Sequence, residues 1–231
     1  MKRIDPTLDA AKRNAAARAV AAVEDKMVLG LGSGSTASLA IELLGQRVAQ
    51  GLAVTGIPTS ERTATLARQL GIPLTDFARH RRIDLTIDGA DQIETGTLNL
   101  IKGLGGALLR EKIVAEASAR MIVVADHTKQ VRQLGAATPL PVEVVPFGWQ
   151  IALENLQALG CTATLRHVDG KAFISDGGHY IADCTFATIP DAAALQAQLK
   201  RITGVVETGL FVGLASQAIL GTDAGVTVLE R

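Results

Sequence analysis

Cysteine is nearly absent from this chain of 231 residues: only Cys161 and Cys184 occur, and neither has the spacing of a metal-ligand pair. That excludes a disulfide scaffold at this size and makes two buried free thiols in a reducing compartment the expected state. Charge of one sign is missing too, since Lys plus Arg and Asp plus Glu each number 23. An electrostatic binder of nucleic acid or of a membrane surface needs a basic excess, so neither partner is expected. No uncharged stretch reaches the roughly 20 apolar residues of a membrane-spanning helix. The opening Met1-Lys2-Arg3-Ile4-Asp5-Pro6 is charged and leads into a polar, Ala-rich segment, so no export signal is expected and the location is read as cytoplasmic. Aromatics make up 3% and prolines number 7, against 23 glycines. Hydrophobic residues at 48% with charged residues at 20% allow a sizeable core. What matters is where the glycines fall.

Asp5 and Pro6 read as N-cap and first residue of a helix that continues to Glu24. Lys26 to Leu31 is an apolar strand running into Gly30, Gly32 and Gly34, and Ser35-Thr36 opens a helix to about Arg47. Leu52 to Ile57 is a strand, Ser60 to Leu70 a helix stopped by Gly71, and Ile83 to Ile87 a strand ending in Asp88. A helix over Ala107 to Ala119 and a strand over Met121 to Ala125 follow. This alternation implies a parallel sheet covered on both faces. After Lys129 the pattern changes. A strand at Val142 to Val145, a helix at Trp149 to Leu159, three short strands and a helix at Asp191 to Ile202 resemble a compact α+β unit of the split βαβ kind. The expected architecture is therefore α/β: a Rossmann-like open parallel sheet from residues 1–130 and 204–231, with a smaller ferredoxin-like α+β domain, 131–203, inserted.

Four motifs have the composition of a binding site. Gly30-Leu31-Gly32-Ser33-Gly34-Ser35-Thr36 lets backbone approach a ligand and presents a helix N-terminus to a phosphate. It lacks the Gly-Lys-Ser/Thr ending of a P-loop. The next strand leads into Pro58-Thr59-Ser60, where a dinucleotide site would place an acidic ribose ligand. Asp88-Gly89-Ala90-Asp91 ends an apolar strand, at the edge where open parallel sheets bind ligands; its carboxylates suit sugar hydroxyls better than a metal, for which no third ligand lies close in sequence. Lys102-Gly103-Leu104-Gly105-Gly106 is a second anion nest carrying its own cation, and Glu111 in the helix after it would ordinarily be a solvated surface residue. Asp126-His127-Thr128-Lys129 ends another apolar strand, with Asp126 readable as a simple cap. Each motif alone could be a turn. Four together, each after a parallel strand, describe a pocket for a small anionic polyol.

In order along the chain, Gly32-Ser33-Gly34-Ser35-Thr36, Ile87-Asp88-Gly89-Ala90-Asp91, Lys102-Gly103 through Ala107, Arg110-Glu111-Lys112-Ile113, Asp126 to Lys129, Pro139-Leu140-Pro141-Val142-Glu143-Val144 and Gly209-Leu210-Phe211 resemble the hallmarks of type A ribose-5-phosphate isomerases. The resemblance spans nearly the whole chain. It implies interconversion of ribose 5-phosphate and ribulose 5-phosphate with no metal or organic cofactor, in a homodimer or dimer of dimers. Carried over by position, Glu111 is the base that moves a proton between C2 and C1 through an enediolate. Asp88, Gly89, Ala90, Asp91 and Lys102 bind the sugar oxygens, with Asp88, Asp91 and Lys102 assisting ring opening and stabilising the enediolate. The N–H groups of Gly103, Leu104 and Gly105 contribute an oxyanion hole. Ser33, Gly34, Ser35, Thr36 and Lys129 hold the phosphate, with Lys12 a looser match.

Two positions depart from the family pattern: Gln92 stands where Glu is common, and Leu104 interrupts a glycine run, where its Cβ would resist positive φ. Two other classes fit the scaffold. A non-catalytic sugar-phosphate sensor would need a DNA-reading module, for which the chain has neither basic stripe nor spare length. An acyl-CoA transferase would use Glu111 as a nucleophile in a longer chain.

Overall fold

The computed structural model describes residues 6–136 and 138–231, so the Asp5 part of the expected cap lies outside the described residues. The first half runs α1 (Pro6–Val20), β1 (Val28–Leu31), α2 (Ser35–Ala49), β2 (Thr55–Pro58), α3 (Glu61–Gln69), β3 (Leu85–Asp88), β4 (Gln92–Glu94), β5 (Leu100–Ile101), α4 (Leu108–Glu116) and β6 (Met121–Asp126). After a single 3-10 turn at His127–Lys129 come β7 (Gln130–Val131), β8 (Leu140–Val144), α5 (Trp149–Gln157), β9 (Thr162–Leu165), β10 (His167–Val168), β11 (Lys171–Ala172) and β12 (Tyr180–Thr185). The chain closes with α6 (Ala192–Leu199), β13 (Val205–Thr208), β14 (Leu210–Phe211), β15 (Gln217–Thr222) and β16 (Gly225–Glu230).

The largest sheet has the order β16-β15-β6-β3-β1-β2. Every pairing in it is parallel except the β15–β16 hairpin at one edge. Strand β1 has β2 on one side and β3 on the other, so the chain departs from it in opposite directions. A crevice opens between such strands at their carboxyl ends. Because side chains alternate along a strand, each strand feeds two layers. Leu29, Leu31, Leu85, Ile87, Ile122, Val124 and Ile219 pack with the alanines of α1 and with Ile41 and Leu44 of α2. Met121, Val123, Ala125, Ala218 and Leu220 face the other way, onto Ala115 of α4 and Phe211. The same parity sends Asp88, two residues after Thr86, to the α4 side, and Asp126, two after Val124, to the α1 side.

The smaller antiparallel sheet has the order β13-β8-β12-β9. Numbered within that unit this is 4-1-3-2, the order of a ferredoxin-like split βαβ fold. Its fourth strand is β13, paired to Val142–Val144. The segment from Gly204 onward therefore does not return wholly to the parallel sheet; only β15 and β16 join it, and the insert extends through Thr208. Strand β8 begins two residues earlier than expected because Pro141 needs only its carbonyl, which accepts the Gly209 N–H at 2.7 Å. The other helices of this layer, α5 and α6, cover one face with Ala152, Leu156 and Leu199, while α4 contacts β8 and β13 and also β3. Helix α4 is thus sandwiched between two sheets.

One expectation fails outright. Strand β5, which delivers Lys102, is not parallel: it pairs antiparallel with β4 and β14 in a separate small sheet. Two residues are too few to carry a periodic signal, so the sequence could not reveal that sheet.

Candidate active site

The first two motifs touch because Gly32 has no side chain. A Cβ there would lie 2.5 Å from the Asp88 Cα and 2.2 Å from its Oδ1. With that space empty, the Ser33 N–H donates to Asp88 Oδ1 at 2.9 Å, and the Gly89 N–H reaches the same oxygen at 2.7 Å. The other oxygen, Oδ2, pairs with Lys102 Nζ at 3.1 Å. Asp88 is fully buried and does not line the cavity. It holds Lys102 and the loop from beneath the cavity, whereas Asp91 lines it.

Lys102 is fixed from several sides. Its N–H donates to the Gly209 carbonyl at 2.9 Å, its ammonium donates to Gly89 O at 2.5 Å and to Glu111 Oε1 at 3.3 Å, and the Phe211 ring centroid lies 5.4 Å away. Lys112 approaches the same ring at 5.1 Å while pairing with Glu207 at 2.8 Å. Phe211 thus supports two ammonium groups, a use for the Gly209-Leu210-Phe211 motif that sequence reasoning did not assign.

Glu111 sits in the first turn of α4 and is only 4% exposed. Its Oε2 is buried without a hydrogen-bond partner among the described residues, and the side chain lines the cavity. Burial pushes its carboxyl up to about 8, against the pull of Lys102 and with the help of the Asp88 charge. Burial likewise raises Asp88, against Lys102 and the two N–H groups that favour its anion. Burial alone would lower Lys102, but Asp88, Glu111 and Asp91 together raise it, so it stays an ammonium. A carboxylate poised near neutral beside a fixed cation is the arrangement a general base requires.

One cavity of about 270 Å³ joins the motifs. On the α4 side it is lined by Asp91, Lys102, Gly103, Gly105 and Glu111; on the α1 side by Leu8, Lys12, Asp126, Thr128 and Lys129; residues 33–36 with Gly89 and Ala90 lie between. Asp91 Oδ2 accepts the Leu104 N–H at 2.9 Å. Leu104 itself is 43% exposed and is absent from the lining, so its amide serves Asp91 rather than the cavity. It is not among the non-glycine residues with positive φ; Gly103 takes that conformation, at 101°, so the leucine is accommodated without strain. Gln92 is buried away from the cavity, where its Oε1 accepts the Gly135 N–H at 2.8 Å.

The Gly-rich loop before α2 is braced by a cluster of hydroxyls. Ser33 Oγ lies 2.8 Å from Thr59 Oγ1 and from Ser60 Oγ, and 3.1 Å from Thr63 Oγ1. Thr59 Oγ1 also donates to Leu31 O at 3.0 Å, and Thr63 Oγ1 to Gly32 O at 2.9 Å. Both donors of Ser33 are thus committed to the protein. The N-terminal residues of α2, with the Ser35 and Thr36 hydroxyls, remain to meet an anion. Asp126 does cap: its Oδ1 accepts from the Thr128 N–H at 3.1 Å and from the Thr128 hydroxyl, stabilising the turn that brings Lys129 to the cavity. Of the seven glycines expected at the site, Gly34, Gly89, Gly103 and Gly105 line it; Gly30, Gly32 and Gly106 serve packing behind it. Cys161 and Cys184 are free and buried in the smaller layer. Among the described residues no three His, Cys, Asp or Glu side chains converge as a metal site, and no helix is long and apolar enough to cross a membrane.

Comparison with known proteins places the chain in a family. Residues 55–225 match the family model for ribose 5-phosphate isomerase A (phosphoriboisomerase A). Ribose-5-phosphate isomerase A of Gloeobacter violaceus is 58% identical over 96% of both chains, and that of a Synechococcus strain 51% identical over 96% of this chain and 98% of its own. Among solved structures, ribose 5-phosphate isomerase A from Methanocaldococcus jannaschii superposes with a TM-score of 0.93 at 40% identity, covering 96% of this chain and 99% of its own. A D-ribose-5-phosphate isomerase in complex with phospho-erythronic acid gives 0.94 at 38% identity, covering 97% and 99%. With more than half its length matched by the family model and relatives above half identity, this chain belongs to the ribose 5-phosphate isomerase A family.

Proposed function

We propose that the chain interconverts D-ribose 5-phosphate and D-ribulose 5-phosphate, with Glu111 as the base. The observation that carries this reading is the buried Glu111 Oε2, without a partner among the described residues, in a cavity that also presents the Lys102 ammonium. The phosphate lies at the N-terminus of α2 between Lys129 and Lys12. This sets the sugar chain across the carboxyl edge of the sheet toward α4. Glu111 takes the C2 proton of the open-chain aldose and returns it to C1 on the same face, while the O2 hydroxyl proton passes to O1, so that the carbonyl moves from C1 to C2. Negative charge developing on the C1 and C2 oxygens is met by Lys102 and the Gly103 and Gly105 amides, which supply the positive potential that a metal would otherwise provide. Asp91 receives sugar hydroxyls, and Asp88 keeps Lys102 charged and aimed. Activity without metal or organic cofactor, a cytoplasmic location, and a homodimer or dimer of dimers with neither nucleic acid nor membrane as partner complete the proposal.

The test is isomerisation of ribose 5-phosphate in deuterated water, with and without a chelator. Full activity with chelator, and deuterium entering C1 of ribulose 5-phosphate, are the expected results. Loss of activity on chelation would refute the metal-free reading, and no conversion at all would refute the activity. Phospho-erythronic acid is a useful probe because its carboxylate places negative charge where the enediolate develops it. Binding of sugar phosphate with no turnover is what the sensor alternative predicts; the intact, charge-tuned Glu111 favours turnover.

A further inference from the structure

The side chain of Arg166 ties the smaller layer to the 103–105 loop by hydrogen bonds. Arg166, between β9 and β10, donates from Nη1 to both the Gly103 and the Leu104 carbonyl oxygens at 3.0 Å. Its Nε donates to Asp183 Oδ2 at 2.9 Å and its Nη2 to Asp183 Oδ1, a two-point fork anchored on β12. The guanidinium also lies over the Phe173 ring, 5.8 Å from its centroid. Each carbonyl belongs to a peptide unit whose N–H is on the following residue. The Gly103 carbonyl is conjugated with the Leu104 N–H, which holds Asp91. The Leu104 carbonyl is conjugated with the Gly105 N–H, which has no partner among the described residues, and Gly105 lines the cavity. A cation on a carbonyl oxygen draws electron density through the planar amide, making its N–H a stronger donor. It also fixes the plane of that amide before any charge develops.

We propose that Arg166, held by Asp183, is a positioning residue for the isomerase reaction: it polarises and aims the two amides that serve Asp91 and the developing oxyanion. The inserted layer thereby contributes to rate without touching substrate. This rests on the oxyanion reading of the 103–105 loop given above.

Arg166→Ala, Arg166→Lys and Asp183→Asn are to be compared with the parent chain for kcat and KM per folded molecule, and for inhibition by phospho-erythronic acid and by inorganic phosphate. Arg166→Ala is expected to lower kcat by about 10-fold, less than the ~100–1,000-fold typical of losing an oxyanion donor outright. Binding of phospho-erythronic acid should weaken by a similar factor while that of inorganic phosphate stays put, with Arg166→Lys and Asp183→Asn intermediate. A purely structural arginine would lower the melting temperature and the folded fraction, leaving kcat per folded molecule and the ratio of the two inhibition constants unchanged; that result overturns the proposal. If Arg166→Ala does not fold, the same ratio in Arg166→Lys and Asp183→Asn decides. Failure of the underlying reading looks different: the parent chain itself would then bind phospho-erythronic acid no better than inorganic phosphate.

Discussion

Replacing Glu111 by Gln removes the proposed base and at the same time relieves the protein. Around Lys102 stand two buried carboxylates, Asp88 at 3.1 Å and Glu111 at 3.3 Å, so the cluster carries one negative charge more than it neutralises. The Glu111 carboxyl is moved from its ordinary 4.5 to about 8 by burial first, with Asp88 adding repulsion. At about 1.36 kcal/mol per pKa unit, ionising it in the folded state costs up to about 5 kcal/mol. The sign follows from proton counting. Between pH 4.5 and about 8 the folded state holds a proton that the unfolded chain has lost, so stability falls as pH rises through that window. Glutamine never ionises, and Asp88 still pairs with Lys102, so no ammonium is orphaned. Glu111→Gln should therefore melt higher than the parent chain, with the gap widening from pH 5 to pH 9. Its kcat should drop by at least ~100-fold, the lower end for losing a general base, with sugar-phosphate binding retained. In the parent chain the deprotonated form is the active one, so kcat/KM should rise with pH and level off above about 8. Melting curves at both pH values and initial rates across the range test the reasoning. An unchanged rate would refute Glu111 as the base, and a variant less stable at pH 9 would refute the account of its burial.

Lys129→Ala should raise KM for ribose 5-phosphate with less effect on kcat, because the phosphate contact is shared by ground and transition states; steady-state kinetics showing an unchanged KM would remove Lys129 from the phosphate end. Gly221→Ala tests how Lys12 is placed: a Cβ there would lie 1.7 Å from the Ala11 carbonyl oxygen, so α1 must move off β15. Overpacking of this kind costs about 1–3 kcal/mol, and KM should rise along with a lowered melting temperature. A variant with parental stability and KM would contradict both.

The four polar motifs and the alternation of strand and helix were legible because they are local: apolar strands end abruptly in glycine, hydroxyl and carboxylate, and glycine patterns record where backbone must pass close. Gly32 is a case where the reason lay elsewhere, since the space it leaves is filled by Asp88, a residue 56 positions on. Glu111 shows the opposite limit. Its helix has no clear apolar face because α4 is covered on two sides, by the parallel sheet and by β8 and β13, and exposes an apolar residue, Ile113, on what remains, so the amphipathic signature is lost. Likewise no motif marks Arg166, since the loop carbonyls it meets, at Gly103 and Leu104, are more than sixty residues away. Thr59 and Ser60 read only as a mark against a dinucleotide site, yet together with Thr63 they brace the Gly-rich loop at Ser33.

By itself the sequence determined the fold class, the chemistry of the motifs and, through resemblance, the family. Only the tertiary structure decided which groups line the cavity and which stand behind them. It put Asp91 in the cavity and Asp88 beneath it, committed the Ser33 hydroxyl to the protein, and tuned Glu111. The physical reason is that burial and electrostatics are sums over neighbours distant in the chain, whereas a sequence motif records only its own backbone.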